Sequence, residues 1–443
     1  MVSGGIALLF LLIAVLLIIL FTAKFNMNAF VVLVTIAFFY GLAIGLPPGD
    51  VVGTIRSGFG GTLGYIGIVI IAGTIIGIVL EKTGAALSMT QAILKIVGKE
   101  RSPLAMSVAG YVVSIPVFCD SGYVILTPLN KALAEETGKS MAVMAVALAT
   151  GLYATHTLVP PTPGPIAAAG TLGADLGAVI GLGLIVSIPA MLAGYLWATK
   201  FASRYEIKAE LQESYADLLE KYGKLPGAFH SFLPLLVPIL LILLKSVAAY
   251  PSHPFGQGGF SSFIQFIGDP VTALMLGIFI SLTLVKKDLR KESVSSWMGE
   301  GVKNAALILA ITGAGGAFGA VLKASPMAEF INSNLSTLKL GIFLPFIISA
   351  ALKTAQGSST VAIITTSSIM APLLSVLGLN PALTVLAIGA GAMVVSHAND
   401  SYFWVVSQFS GMEVSTSYKA YTSATLVEGL VAFVFVALLS IFI

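Results

Sequence analysis

The chain has 443 residues, of which 57% are apolar and only 10% charged, with 23 basic and 20 acidic side chains and a net charge of +3. Soluble domains carry about 25% charged residues, so a cytosolic enzyme, a nucleic-acid binder and a disordered chain are all excluded. One cysteine, Cys119, rules out a disulfide framework and a multi-cysteine metal site, and neither a metal nor an organic cofactor is expected.

A bilayer span takes about 20 mostly apolar residues. Clear stretches of that kind lie at 4–22, 28–46, 63–80, 176–198, 229–249, 270–285, 301–322 and 421–443. The opening MVSGG lacks the basic region of a cleavable signal peptide, so 4–22 reads as a retained span. Stretches 103–130, 140–174, 341–376 and 380–410 are apolar but broken by Pro, Gly and polar residues. The polar stretch 199–228 spaces its charges helically (Arg204, Glu206, Lys208, Glu210, Glu213, Asp217, Lys221) and reads as an amphipathic cytoplasmic linker between halves 1–198 and 229–443. The fold class is an all-α polytopic membrane protein.

Orientation follows from the basic residues. With the N-terminus outside and 103–138 and 341–376 folded as re-entrant hairpins, 17 of the 23 basic residues fall on the inner side. Only Arg56, Lys323 and Lys339 fall outside; Lys245, Lys303 and Lys353 lie within apolar segments. The halves also echo each other. Gly73-x3-Gly77-x-Val79-Leu80 returns as Gly315-x3-Gly319-x-Val321-Leu322, Thr127-Pro128-Leu129 as Ala371-Pro372-Leu373, and Thr155-His156 as Ser396-His397. Five crossings per half, entered from opposite sides, make the halves inverted repeats, with about 10 transmembrane helices and two hairpins in all. Broken helices at the midplane of inverted repeats are an arrangement of secondary transporters.

Polar groups inside these apolar stretches mark the candidate site. Asp120, with Ser121 and Gly122, sits at the break of the first hairpin. Non-helical backbone at membrane depth must line a cavity or be buried in protein, and the helix that starts there presents free N–H groups, suited to an anion. The second hairpin breaks at Lys353-Thr-Ala-Gln356-Gly357-Ser358-Ser359-Thr360, with a turn-forming glycine, hydroxyl and amide groups and a lysine. Four prolines within 160–165 force the span 140–174 to unwind just after His156. His397 and Asp400, three apart, share a face if their segment stays helical. Glu81, Glu300 and Glu413 lie at span ends and Asp175 marks an outer turn. Glu428 lies about a turn inside the last span with nothing converging on it, and the Gly73/Gly77 and Gly315/Gly319 spacings read as close helix packing.

Four motifs carry a resemblance across nearly the whole chain: Pro116-Val-Phe-x-Asp120, Ala154-Thr-His-x-Leu-Val-Pro-Pro-x-Pro-Gly-Pro165, Ala355-Gln-Gly-Ser-x-Thr-Val-Ala362 and Ser396-His-x-Asn-Asp-Ser-x-Phe-Trp404. In order and content they resemble the gluconate permease family of proton-coupled symporters, whose members import gluconate, related hydroxy-carboxylates and, in some cases, D-serine. The resemblance implies inverted repeats with re-entrant hairpins moving as an elevator, in the cell (inner) membrane. It places Asp120, His156, Gln356, Gly357, Ser358, Thr360, His397, Asn399 and Asp400 on motif positions, with Lys353 at a position that is usually basic. Thr162 departs from the His-Pro-Gly-Pro that gluconate transporters typically carry, which bears on ligand or coupling.

The expected function is import of gluconate or a related small hydroxy-carboxylate with H⁺, with Na⁺ left open as the coupling ion. Lys353 and the hairpin helix N-termini would answer the carboxylate, and Ser121, Gln356, Ser358, Ser359, Thr360 and Asn399 the hydroxyls. The proton would ride on Asp120 or Asp400, with His156 or His397 beside them. The alternatives are a carrier of D-serine, glycerate or lactate, a passive channel, and an intramembrane hydrolase with Ser121 or Ser358 as nucleophile and His156 or His397 as base. The last lacks a nucleophile elbow. No nucleic acid is expected as a partner, and a homodimer is expected as the assembly.

Overall fold

The structure is a computed structural model and describes residues 2–25, 27–209, 220, 222–249, 254–286, 291, 293–326 and 340–443. The first half comprises α1 (Gly4–Ile19), α2 (Ala29–Ala43), α3 (Pro48–Lys82), α4 (Ala85–Val97), α5 (Ser102–Val113), α6 (Cys119–Thr137), α7 (Met141–Leu158), α8 (Pro163–Leu172) and α9 (Leu176–Lys200). The second comprises α10 (Ala228–Ala248), α11 (Gly259–Ile267), α12 (Pro270–Leu282), α13 (Met298–Lys323), α14 (Phe343–Gln356), α15 (Ser359–Met370), α16 (Pro381–Gly391), α17 (Ser401–Ser410) and α18 (Val414–Leu439). Among the described residues there is no strand.

Local chemistry sets the helix ends. Asn28, Ser140, Asp175, Asp269 and Asn380 accept backbone N–H groups at their helix starts, satisfying donors that have no partner within the helix. Asp175 also accepts from Ser246 at 2.6 Å, tying the start of α9 to α10. Seven described helices are long and apolar enough to cross a bilayer, and α11 and α12, bent by 61° at their junction, form an eighth. Helices α2 and α16, of 15 and 11 residues, are apolar but shorter than a span, so the described residues hold up to eight spans where the sequence led to about ten.

One span is longer than its hydropathy suggests. Sequence places a crossing at 63–80, yet α3 begins at Pro48 and runs 35 residues. Its early half is rich in glycine and packs on α13 so closely that a Cβ on Gly58 would lie 2.5 Å from the Gly316 carbonyl, and one on Gly316 2.1 Å from Thr62 Oγ1. Small residues let the two backbones meet at Gly58, although most of that half of α3 is exposed, with Val51 and Ile55 its buried residues.

Some of the packing is alike in the two halves. Helix α5 lies on α7 as α14 lies on α16; α2 packs on α13 as α12 packs on α3. The crossed contacts position the site: α6 of the first hairpin packs on α17, and α15 of the second packs on α8. Each hairpin therefore lies against the broken span of the other half.

Only the ends of the linker are described. Ser140 donates to Tyr205 O at 2.5 Å and accepts from Ile207 N at 3.1 Å, so the linker's first residues are pinned to the start of α7. Residues 201–209 are not α-helical there. Glu210, Glu213, Asp217 and Lys221, on which the amphipathic helix rests, lie outside the described residues.

Candidate functional site

The first hairpin turns at 114–118, between α5 and α6. A Cβ on Gly77 of α3 would lie 2.4 Å from Pro116 O, and one on Gly73 3.1 Å from Pro161 O. The first GxxxG spacing thus seats a hairpin tip and a span break, not a neighbouring helix. The second keeps the simpler role, with Gly315 and Gly319 facing Ser368 of α15. Asp120 stands in the first turn of α6, and its Oδ1 is buried with no hydrogen-bond partner among the described residues. It lies within electrostatic reach of Asp400 and Lys353. Gly122 serves packing, since a Cβ there would meet Leu152 Cδ2 at 2.7 Å, and Ser121 beside it is half-buried.

The second hairpin turns at Gly357. Its φ of +92° favours glycine, and a Cβ there would lie 2.1 Å from the Asn399 carbonyl. Around it the turn closes on itself: Gln356 Nε2 donates to Ser358 O at 2.6 Å, Ser358 N to Gln356 Oε1 at 3.2 Å, and Val361 N to Ser358 Oγ at 3.3 Å. Ser359 is buried and Thr360 half-buried at the start of α15.

Lys353, one turn before the tip, is fully buried. Its ammonium donates to Gly357 O and, at 2.5 Å, to Asp400 Oδ2, and it lies 5.9 Å above the ring of Tyr153, a cation–π distance. Asp400 caps α17 through Tyr402 N at 3.1 Å and also accepts from Ser396 Oγ at 2.5 Å. Ser396 is held by α18: Tyr421 donates to its hydroxyl at 3.2 Å, Thr422 to its carbonyl at 2.6 Å, and its N–H donates to Thr425 Oγ1 at 3.0 Å. The result is a buried, fully bonded ion pair that joins a hairpin tip to a broken span.

Residues 392–400 are not helical, so His397 and Asp400 do not share a helix face. The condition for that face fails because Asp400 is itself the cap of α17. His397 Nε2 lies 2.8 Å from Thr354 O, and Asn399 Nδ2 donates to Thr354 O at 2.9 Å and Ala355 O at 3.1 Å. Both residues bond the free carbonyls at the end of α14. His156 is buried in the last turn of α7, its Nδ1 unpartnered, stacked at 6.5 Å on Tyr153 and 6.2 Å from Phe118. Thr162 is buried at the N-cap of α8 and donates to Val159 O at 2.7 Å.

The fold therefore gathers Lys353, Asp400 and His156 around Tyr153, with Asp120 within electrostatic reach of Lys353 and Asp400. Gln356, Ser358, His397 and Asn399 spend polar atoms on the hairpin itself. The tyrosines are what sequence reasoning missed. Tyr402 lies 6.1 Å from Tyr123, 5.5 Å from Tyr153 and 5.9 Å from Tyr421. Tyr153 donates to Ala392 O at 3.1 Å and Tyr402 to Ala149 O at 3.0 Å, stitching α7 to the opposite half's break. Their signal was proximity: Tyr123, Tyr153 and Tyr402 each stand within three residues of Asp120, His156 or Asp400. A cavity of about 790 Å³ opens at the far ends of α6 and α17, lined by Lys131, Arg204, Lys208, Glu206, Ser410 and Glu413.

Long apolar helices enclosing helical hairpins, a broken helix and a buried ion pair define an α-helical membrane protein. Residues 6–442 match the family model described as GntP family permease, and the chain belongs to that family. It is 37% identical over 422 residues to an uncharacterized permease of Haemophilus influenzae, covering 91% of this chain and 85% of the relative. It is 35% identical to a gluconate permease of Pseudomonas aeruginosa, covering 94% of each chain, and 34% identical to the D-serine transporter DsdX of Escherichia coli K12, covering 98% of each. Among solved structures, the YdaH transporter of Alcanivorax borkumensis aligns with a TM-score of 0.71 over 93% of this chain and 98% of its own, at 14% identity, which supports the fold alone. The protein is a multi-pass permease of the inner membrane.

Proposed function

We propose that this permease imports gluconate or a related small hydroxy-carboxylate together with a proton, and that Lys353 is the switch between the two. The observation that carries this reading is the buried Lys353–Asp400 pair at the second hairpin tip. A buried site tolerates net charge poorly. An incoming carboxylate that takes Lys353 leaves Asp400 without its counter-charge, and Asp400 restores neutrality by binding a proton. One carboxylate and one proton then travel together. Asp120, with an unpartnered oxygen in reach of the same lysine, accepts hydrogen bonds from substrate hydroxyls.

D-serine, named for one relative, is the runner-up among substrates, because Asp120 would equally suit an ammonium group. Glycerate and lactate offer fewer hydroxyls to the same groups. We place the route to the cytoplasm along the α6–α17 seam, since both helices run from the acids to the cavity holding Lys131 and Lys208, about 16 Å of helix away. The halves act as inverted repeats, and the hairpins with the broken spans move as an elevator against α3 and α13, in a homodimer. No catalytic step is assigned. A thermal-shift screen of gluconate, other sugar acids, glycerate, lactate and D-serine tests the reading. It requires a stabilising hydroxy-carboxylate whose effect vanishes in Lys353→Met; a shift retained in that variant contradicts it.

A further inference from the structure

The last span holds a carboxyl that this scheme does not use. Glu428 of α18 is fully buried, and neither of its carboxyl oxygens has a hydrogen-bond partner among the described residues. A carboxylate stripped of water and left without a partner is far costlier to keep than its protonated form. In a span that could hold an apolar residue there, such a group calls for a function.

Its surroundings tie it to the site. The same face of α18 carries Thr425 one turn earlier and Tyr421 two turns earlier, the residues that hold Ser396 and through it Asp400. The next residue, Gly429, is pressed against the start of the break: a Cβ there would lie 2.8 Å from Ala390 O and 3.3 Å from Met393 Cβ. Helices α7, α9 and α16 pack on α18, and the turn 418–422 is part of α18 itself. Helix α16 brings no titratable side chain; α9 has Tyr195 and Lys200, the turn Tyr418, Lys419 and Tyr421, and α7 Tyr153 and His156. None of these sets a charge against Glu428, whose environment is governed by burial alone. Tyr153 is the shared neighbour, within electrostatic reach of both Glu428 and Asp400 and lying under Lys353.

We infer that Glu428 is a second proton-binding carboxyl of the transport cycle. It is protonated in the state described here, and it releases that proton to water when the 392–400 break moves off α18. The inference rests on the proton-coupled reading above, and adds one proton to each carboxylate carried. Gluconate entering with two protons carries a net positive charge inward, so uptake responds to membrane potential.

The test measures gluconate and proton fluxes together in proteoliposomes, with and without an inside-negative potential, for wild type and Glu428→Gln. The expected wild-type ratio is two protons per gluconate with uptake stimulated by the potential; in Glu428→Gln the ratio halves and the stimulation is lost. A wild-type ratio of one overturns the role of Glu428 without any variant and leaves proton coupling standing. An unchanged ratio and potential dependence in Glu428→Gln overturn it as well. Uptake that ignores protons altogether removes the reading beneath it.

Discussion

Replacing Lys353 by Met removes the ammonium while keeping most of the buried stem. Asp400 then keeps only Ser396 Oγ and Tyr402 N as donors, in a site where its residue is 6% exposed. Removing one partner of a buried ion pair costs about 3–5 kcal/mol, because the remaining charge is stranded. In detergent the variant should melt several degrees below wild type. Asp400→Asn strands the lysine instead, with a loss of similar size. The double variant, Lys353→Met with Asp400→Asn, leaves no charge unpaired and should recover most of the stability, so that its loss falls well below the sum of the two single losses in a double-mutant cycle. It should not recover substrate binding, because the group that meets the carboxylate is gone. Additive losses in the double variant would refute the idea that the pair is an energetic unit. Full substrate affinity in the double variant would refute Lys353 as the carboxylate's partner.

Asp400→Asn should also weaken the coupling of uptake to the pH gradient while still exchanging labelled for unlabelled substrate, whereas Asp120→Asn should weaken affinity and keep coupling; the opposite pattern would exchange their roles. Gly357→Ala should destabilise by at least about 1–3 kcal/mol from backbone strain alone, before the clash with the Asn399 carbonyl, and a thermal melt of wild-type height would contradict the turn geometry. A cysteine placed at Tyr215, in a Cys119→Ser background, should react with an impermeant reagent only from the cytoplasmic side; labelling from outside would invert the topology.

The broad architecture was legible because its causes are local. Apolar length announced α1, α9, α10 and α18, and the prolines of 160–165 announced the break after α7. The start of α3 was hidden, because its glycines look like an end to the span until Gly58 is seen against Gly316 on α13. The candidate site was legible as a set of odd polar residues but not as a set of contacts. Lys353 and Asp400 stand 47 residues apart, and nothing in either motif says that one answers the other. His397 and Asn399 were legible as candidate ligand groups, but their bonds to the end of α14 were not. Glu428 was visible as an acid near the end of a span, but its lack of partners depends on packing by α7, α9 and α16 that no local pattern records.

The most direct test of the central claim is accumulation of labelled gluconate in proteoliposomes of the wild-type protein under an imposed pH gradient, acid outside. Uptake above equilibrium that collapses on adding a protonophore and is diminished in Asp400→Asn is the predicted result. Accumulation that follows a Na⁺ gradient and ignores pH, or that persists undiminished in Asp400→Asn, would contradict it.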